Sequence, residues 1–156
     1  MKSLLIRNLV FTILQPGIVA GLIPYLVVRD QFRQTLSFQQ PQQIVGLLVF
    51  MIGFAAMTYC IYLFAVDGRG TLSPFDRTQK LVVKGLYRFS RNPMYVGVIG
   101  MLIGESIFFQ GYLLWIYTLL VFILFNGFIF FIEEPRLKKD FGEDYLNYCR
   151  KVRRWI

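Results

Sequence analysis

A chain of 156 residues, of which 56% are hydrophobic and 17% aromatic, cannot bury its apolar surface as one water-soluble domain. The net charge of +8 would suit nucleic acid, but the lysines and arginines stand between long apolar runs, which is typical of membrane proteins and argues against nucleic-acid binding. Histidine is absent, so the commonest metal ligand and general base is missing, and we predict no metal site.

Four apolar runs follow one another along the chain: residues 4–28, 44–66, 95–109 and 112–132. A helix needs about 20 apolar residues to cross the hydrocarbon core, and the first, second and fourth runs are long enough. The third run is shorter and crosses only if its flanking residues lie near the interfaces or the bilayer thins locally. The first run follows Lys2 and Arg7, as a signal peptide would, but no small-residue cleavage site follows it, so we expect it to remain.

The positive charges set the orientation of these runs. Fifteen of the seventeen lysines and arginines lie in the N-terminus, in residues 67–93 or in the tail after Ile132. Four crossings place all three regions on the cytoplasmic side of the inner or plasma membrane, whereas an odd number would divide them. The predicted fold is therefore an all-α integral membrane protein with four transmembrane helices and with both termini in the cytoplasm.

The third and fourth runs are joined by Gln110-Gly111, which predicts a tight turn and hence a C-terminal helical hairpin. Three glycines of the third run are spaced three and four residues apart: Gly97, Gly100 and Gly104. They share one helix face, which we interpret as a surface for close helix packing. Glu105 lies near the far interface, where a solvated carboxylate is expected, so it is left out of the candidate site.

The tail from residue 138 to residue 156 is predicted to form an interfacial amphipathic helix that lies on the anionic leaflet and covers the candidate site. Its apolar side chains alternate three and four residues apart: Phe141, Tyr145, Tyr148, Val152 and Trp155. Its other faces carry basic residues: Arg150, Lys151, Arg153 and Arg154. Cys149 in this tail and Cys60 in the second run fall at different depths, so we expect two free thiols.

Two polar segments flank the predicted hairpin, one before the third run and one after the fourth. Because a hairpin brings its two ends together, the start of the third helix is expected to lie near the adjacent carboxylates of Glu133 and Glu134. Asn92 followed by Pro93 is typical of a helix start, with asparagine as the cap. Each residue taken alone has a simpler interpretation, such as arginines that snorkel to lipid phosphates or tyrosines of an interfacial belt. Two carboxylates at an unfavourable helix end, facing an arginine loop, jointly favour a polar cofactor site.

These two segments resemble the signature of the isoprenylcysteine carboxyl methyltransferase and phospholipid methyltransferase superfamily. The first part of the signature is matched by Gly85, Tyr87, Arg91, Asn92, Pro93, Tyr95 and Gly97. The second part is matched by Glu133, Glu134, Leu137, Phe141, Gly142 and Tyr145. The resemblance covers residues 79–148, the expected cofactor-binding core. Residues 1–66, the two N-terminal transmembrane helices, are similar to the family only in being hydrophobic, and we interpret residues 1–156 as a single membrane-embedded domain.

The resemblance implies a methyltransferase that binds S-adenosylmethionine in a pocket open to the cytoplasm. Its acceptor would be a lipid-soluble or membrane-associated small molecule that enters from the bilayer. The residues that the resemblance places at the cofactor are Gln79, Lys80, Leu81, Val82, Tyr87, Asn92, Pro93, Met94, Tyr95 and Glu133. The candidates for catalytic residues are Arg91, Asn92 and Glu134. Glu134 alternatively holds the cofactor or pairs with Arg88 or Arg91, and the sequence leaves these possibilities open.

Two positions depart from the family pattern. Asn92 stands where many members have histidine, and asparagine donates a hydrogen bond but cannot act as a base near neutral pH. Ile129 stands where the prenylcysteine enzymes place a substrate-binding arginine, which disfavours a carboxylate acceptor, and prenylcysteine is not assigned. A lipid amine, a small thiol and a lipid-borne carboxylate all remain open as acceptors.

The expected reaction is in-line displacement of a methyl group from a sulfonium, which asks the protein mainly to position the acceptor and to exclude water. This chemistry suits a chain without histidine. Two alternatives remain. Membrane reductases of the sterol reductase type are similar in the C-terminal core, use NADPH and usually have more helices. A non-catalytic membrane protein that retains the fold is the other.

Overall fold

The computed structural model describes residues 16–35, 40–67 and 81–156, and every regular element in these ranges is a helix, as the sequence predicts. The helices are named in chain order: α1 (Ile23–Thr35), α2 (Pro41–Asp67), α3 (Pro93–Phe109), α4 (Tyr112–Phe128) and α5 (Glu134–Lys151). Shorter turns join them: π turns at Ile18–Leu22 and Ile129–Glu133, and a 3-10 turn at Gly85–Arg88. Gln79 and Lys80, two of the predicted cofactor residues, lie outside the described residues.

Two stretches of the described chain are long and apolar enough to cross a membrane, Pro41–Leu63 and Tyr112–Lys151. The second runs from α4 through the π turn into α5. The apolar helices Ile18–Arg29 and Pro93–Phe109 are shorter, and the 17 residues of α3 span about 25 Å at 1.5 Å per residue. Large apolar side chains face outward from the long helices, with Ile52 70% and Leu124 69% exposed. Lipid covers such a surface at far lower cost than water.

Helices α2 and α3 pack against each other through glycines. A Cβ atom added at Gly104 would lie 2.5 Å from the Phe50 nitrogen and 2.7 Å from the Gly46 carbonyl oxygen. Two helical turns earlier in α3, a Cβ atom added at Gly97 would lie 2.8 Å from the Gly53 carbonyl oxygen. No real Cβ atom fits at such distances, so the two backbones are in direct contact. The interpretation of the glycine face as a packing surface is confirmed, and its partner is α2.

Helices α3 and α4 form the expected hairpin. Gln110 ends α3 in the left-handed conformation, with φ of 53°, and Gly111 precedes the first residue of α4. Inside the hairpin, the hydroxyls of Ser106 and Thr118 lie 3.2 Å apart and form a hydrogen bond. The apolar core between the π turn before α1, helix α2 and the hairpin includes six buried residues: Ala20, Met57, Val98, Met101, Leu102 and Val121.

The segment before α1 packs on the hairpin through an irregular turn. Pro24 has no N–H to donate to the carbonyl of Ala20, and the backbone leaves helical geometry at Ala20, with φ of −110° and ψ of 20°. The Tyr117 hydroxyl of α4 donates a hydrogen bond to the Val19 carbonyl at 2.8 Å. This hydrogen bond connects the segment before α1 to the first half of α4.

Glu105 differs from the expectation of a solvated carboxylate. Its Oε2 atom is buried and has no hydrogen-bond partner among the described residues. The residue as a whole is half-buried, so the protein shields one of its carboxylate oxygens from solvent.

The C-terminal region differs from the predicted continuous helix in two places. Helix α5 is interrupted at Gly142, where φ is 51° and ψ is −124°. It ends at Lys151, and Val152 is extended, so residues 152–156 are not helical and the prediction of a helix to residue 156 is wrong. A positive φ at Gly142 costs a glycine little, whereas any other residue would be strained there. We call residues 152–156 the C-terminal strap, because they turn back along the start of α3.

Candidate active site

Three parts of the chain meet at one end of the bundle: the loop before α3, the π turn that ends α4, and the C-terminal strap. The loop before α3 comprises residues 85–92, and we call it the entry loop. The hairpin turn at Gln110 brings the start of α3 back beside the end of α4, as the sequence predicts. The strap reaches the same place because α5 doubles back at Gly142.

Tyr95 and Glu133 connect the two ends of the hairpin. The Tyr95 hydroxyl donates a hydrogen bond to Glu133 Oε2 at 3.0 Å. Tyr95 is buried and its ring packs on Phe125, with the ring centroids 4.7 Å apart. Two of the predicted cofactor residues, separated by 38 positions in sequence, therefore share one hydrogen bond, and the aromatic contact fixes the tyrosine that orients the carboxylate.

Glu134 is the buried anion of the site. Arg154 of the strap donates two parallel hydrogen bonds to it, Nε to Oε1 and Nη2 to Oε2, both at 2.9 Å. Arg91 Nη1 lies 3.1 Å from the same Oε1 atom. The hydrogen bonds to Glu134 raise the pKa of the Arg154 guanidinium above its ordinary value. The open question of the partner of Glu134 is thus answered: it pairs with Arg91 and Arg154, and Arg88 is exposed.

Asn92 begins α3 as the sequence predicts, but its side chain does not cap the helix. The amide Nδ2 instead donates a hydrogen bond to the Arg154 carbonyl of the strap at 3.0 Å. The backbone N–H of Asn92 donates to Ser90 Oγ at 3.1 Å, and that hydroxyl donates to the Arg154 carbonyl at 3.3 Å. The prediction that the Asn92 side chain caps α3 is therefore wrong, because its amide bonds the strap instead. The amide holds the strap, a task for which only a hydrogen-bond donor is needed.

Tyr148 of α5 binds the entry loop through hydrogen bonds to its backbone. Its buried hydroxyl donates to the Tyr87 carbonyl at 2.6 Å and also reaches the Ser90 carbonyl at 3.4 Å. Tyr87 itself is buried, and desolvation raises the pKa of its phenol well above the ordinary value. Gly85 has φ of 56°, and an added Cβ atom would lie 2.6 Å from Leu63 Cδ1. The loop is thus packed against both α2 and α5.

The described residues that were predicted at the cofactor include a polar group and an apolar group, and Leu81 (half-buried) and Pro93 (buried, the first residue of α3) belong to neither. Tyr95, Glu133 and Asn92 carry polar atoms at the meeting point of the three parts. Val82 is buried in an apolar cluster with Cys60, Leu63 and Tyr87, and Met94 packs against that cluster. The side chain of Val82 is therefore used in packing, and only its backbone can contact a ligand.

The candidate catalytic residues Arg91, Asn92 and Glu134 all lie where the entry loop, the π turn and the strap meet, and we call the polar residues at this place the cluster. The sequence interpretation missed the residues that join them to the rest of the chain: Ser90, Tyr148, Cys149 and Arg154. Cys149 Sγ accepts a hydrogen bond from Arg91 Nη1 at 2.8 Å. The tail was interpreted as a helix with its basic residues on the leaflet, and the end of that helix at Lys151 is what frees Arg154 to turn inward.

Two features of the cluster can serve a bound ligand. Arg91 Nε is buried and has no hydrogen-bond partner among the described residues. Glu133 presents a carboxylate of which Tyr95 occupies one oxygen, whereas Glu134 is fully engaged by two guanidinium groups. Within the described ranges, no group of three or more cysteine, aspartate or glutamate side chains is placed to hold a metal ion.

Comparison with known proteins identifies a family. The phospholipid methyltransferase family matches residues 41–144, a range that begins at the first residue of α2 and includes Tyr95 and Glu133 but not the strap. A phosphatidylethanolamine N-methyltransferase of Chaetomium globosum is 37% identical over 71 residues, which is 45% of this chain and 7% of that protein. An uncharacterized protein of Haemophilus influenzae is 30% identical over 63 residues, 40% of this chain and the whole of that protein.

The matched region spans only a small fraction of the fungal enzyme's length, so the likeness to it concerns one segment. The family match, in contrast, covers more than half of the present chain. Together with the two long apolar helices, it indicates a membrane protein. The chain belongs to the phospholipid methyltransferase family.

Proposed function

We propose that this protein transfers a methyl group from S-adenosylmethionine to the amine of a phospholipid headgroup at the cytoplasmic face of the membrane. The observation that carries the proposal is the contact of Tyr95 with Glu133 in a member of this family. It is supported by the unpartnered Nε of Arg91, whose guanidinium pairs with Glu134, the next residue along the chain. The amine acceptor is suggested by the fungal relative, whose printed name is phosphatidylethanolamine N-methyltransferase.

The residues present fit the polar part of such a cofactor. S-adenosylmethionine carries an ammonium, a carboxylate and ribose hydroxyls, and these need an anionic acceptor and a cationic donor. Glu133 offers the acceptor, held in place by Tyr95, and the buried N–H of Arg91 offers the donor. Charge-assisted hydrogen bonds of this kind are short and about twice as strong as neutral ones.

When bound, the sulfonium supplies an activated methyl group and a neutral thioether as leaving group. The protein then has to hold the acceptor nitrogen in line with the methyl carbon and to keep water away. Tyr95 and Phe125 provide an apolar wall beside Glu133, which suits both tasks.

A protonated amine must lose a proton before its nitrogen can attack. The chain has no histidine, Asn92 cannot take a proton, and Glu134 is neutralised by Arg91 and Arg154. Glu133 is the carboxylate left to accept this proton, directly or through a water molecule. Of the three catalytic candidates, Asn92 and Glu134 are therefore proposed to hold the site together, and Arg91 is proposed to contact the reactants together with Glu133.

The proposed topology has four crossings, with the cluster on the cytoplasmic side. It is supported by the antiparallel course of α2, α3 and α4, since Gln40 before α2 bonds Gln110 at the opposite end of α3 from the cluster. The basic loop and tail then share one side, as the positive-inside rule requires. A single cysteine introduced at Ile156, in a Cys149→Ser background, should react with an impermeant maleimide only in inside-out vesicles.

The proposal is tested by binding and turnover in phosphatidylethanolamine nanodiscs. The wild-type protein should bind S-adenosylmethionine and form a monomethylated lipid, detected by mass spectrometry. Glu133→Gln keeps the size of the side chain and removes its charge, and should weaken cofactor binding roughly 10-fold or more, since hydrogen bonds to charged groups contribute about 1.5–3 kcal/mol. Glu143→Gln, on an exposed position of α5, is the matched control and should bind as the wild type.

Folded wild-type protein that neither binds S-adenosylmethionine nor methylates the lipid would contradict the proposal. Thermal protection by NADPH and not by S-adenosylmethionine would favour the reductase alternative. If Tyr95→Phe and Glu133→Gln left every biochemical readout unchanged, the non-catalytic alternative would be the better account.

A further inference from the structure

The C-terminal strap is bound to the entry loop through its backbone. The N–H of Arg91 donates to the Arg153 carbonyl at 2.9 Å. The Arg154 carbonyl accepts from both Asn92 Nδ2 and Ser90 Oγ. Three hydrogen bonds thus join two consecutive strap residues to three consecutive loop residues, an arrangement that sets the distance between the strap and the start of α3.

The side chains of the strap bind the other half of the site. The Arg154 guanidinium grips Glu134 with two bonds and lies over the Phe130 ring, 5.5 Å from its centroid. Trp155 donates from Nε1 to Asn126 Oδ1 at 3.0 Å, and its ring packs on Phe122. The strap therefore bridges the entry loop and the end of α4, the two segments that carry Asn92 and Glu133.

Arg91 is the group most affected by this bridge. It shares Glu134 with Arg154, and its Nε stays unpartnered in the described structure while Nη1 bonds Glu134 and Cys149. If Arg154 were absent, Glu134 would be left with Arg91 as its one cation, and the guanidinium would have to turn to satisfy both carboxylate oxygens. The N–H available to a ligand would then be spent on Glu134.

We infer that Arg154 is a positioning residue for the methyl donor site, which acts through Glu134 on the orientation of Arg91 and on the spacing of the entry loop from Glu133. This inference rests on the proposed function. Displacements of about 1 Å at a site of this kind reduce rates by about 100-fold, so the expected effect on kcat/KM is between 10-fold and 100-fold.

The test uses the full-length protein in nanodiscs with three variants. Arg154→Ala should raise the KM for S-adenosylmethionine and lower kcat/KM at least 10-fold. Arg154→Lys keeps the charge but cannot make the two parallel bonds, so it should recover only part of the loss. Arg153→Ala is the matched control, because Arg153 is exposed and contributes its carbonyl to the bridge. It should leave both constants at the wild-type values.

A double variant separates positioning from stability. Arg154→Ala alone leaves a buried carboxylate short of a partner and should lower the melting temperature. Arg154→Ala combined with Glu134→Gln removes the unpaired charge as well and should recover melting temperature. If Arg154 positions the site, cofactor affinity should stay low in the double variant even so, because neither Arg154 nor a carboxylate at position 134 then holds the Arg91 guanidinium in its wild-type orientation. Full recovery of kcat/KM along with stability would overturn the inference.

A second readout does not depend on the cofactor. Cys60 is completely buried, while Cys149 lies partly accessible beside Arg91, so a maleimide reports on the site at Cys149. Arg154→Ala should raise the labelling rate of Cys149 several-fold, whereas Arg153→Ala should not. Equal labelling rates and equal kcat/KM in folded Arg154→Ala and wild type would refute the inference. A wild type that binds no S-adenosylmethionine, with labelling still dependent on Arg154, would refute the proposed function and leave the bridge as a structural element.

Discussion

The contact of α2 with α3 and the contact of the strap with the entry loop hold the molecule together in opposite ways. Between α2 and α3, glycines let two backbones touch, and no polar side chain takes part in those contacts. Around Glu134, nearly every contact is a directional bond between a named donor and acceptor. The α2–α3 contact depends on the absence of side-chain atoms, so adding one atom there should destabilise the fold. The contact of the strap with the entry loop depends on paired donors and acceptors, so removing one of these atoms should destabilise it.

The largest effect is expected from adding one methyl group to the glycine contact. Gly104→Ala puts a Cβ atom 2.5 Å from the Phe50 nitrogen, and a backbone atom cannot rotate away as a side chain can. We expect a loss of about 3 kcal/mol, the upper end of the range for overpacking, measured by thermal or denaturant unfolding in detergent.

Gly127→Ala is the control for this substitution. It lies in α4, where a Cβ atom meets nothing within 4 Å. The same chemical change should there be neutral or stabilising by up to about 1 kcal/mol, because alanine is the better helix former. Equal destabilisation by the two variants would show that helix propensity, and not the α2–α3 contact, governs the result.

The next effect is expected from removing one hydroxyl at the polar contact. Tyr148→Phe leaves the Tyr87 carbonyl without the donor that now lies 2.6 Å away. The expected loss is about 1.5 kcal/mol, since a buried acceptor loses its partner. Tyr112→Phe, at a side chain that is 73% exposed, should change the unfolding free energy by less than the error of the measurement.

A smaller effect is expected inside the hairpin, where the two kinds of contact meet. The hydroxyls of Ser106 and Thr118 lie within hydrogen-bond distance of each other across α3 and α4, and each also lies within donor distance of a carbonyl of its own helix. Two protons serve these three contacts, so the hydroxyl that donates to the other helix gives up the bond to its own carbonyl. A double-mutant cycle with Ser106→Ala and Thr118→Val should give a coupling of about 0.6 kcal/mol, the average for such bonds in membrane proteins. A coupling several times larger would mean that the hairpin, too, depends on polar partners.

The smallest effect is expected at the start of α5, from one ion pair within the helix. Arg136 Nε lies 3.7 Å from Asp140 Oδ2, one turn away on the same helix. Asp140→Asn should cost no more than about 0.5 kcal/mol, as is usual for such pairs. A loss as large as that of Tyr148→Phe would place Asp140 among the residues that hold the site.

The sequence predicts those features that depend on short stretches of chain. Gln110-Gly111 indicates a turn by itself, and a hairpin then necessarily brings Asn92 near Glu133 and Glu134. The partner of the glycine face could not be predicted in the same way. Gly46 and Gly53 are visible in the second run, but their pairing with α3 depends on how two distant helices pack.

The role of Arg154 could not be predicted either. Counting apolar residues every three or four positions continues a helix to Trp155, whereas the chain leaves the helix at Val152. Outside the helix, the carbonyls of Arg153 and Arg154 accept hydrogen bonds from Arg91 and Asn92. No short sequence pattern indicates that these carbonyls bond the entry loop instead of continuing the helix. Gly142 was recognised in the family pattern, but its positive φ and the reversal of α5 were not.

The π turn at Ile129–Glu133 has a consequence for changes of chain length. A π turn uses one residue more than an α-helical turn, so removal of one residue between Phe128 and Glu133 would restore the α-helical repeat and leave the helix that follows with nearly the same face toward the site. Removal of a second residue would rotate Glu133 and Glu134 by about 100°, the angle of one residue in a helix of 3.6 residues per turn, away from Tyr95 and from both arginines. Deletion of two residues here should therefore be far more damaging than deletion of one, and a chimera between relatives should exchange this segment together with the strap, which bonds Asn126 and Glu134.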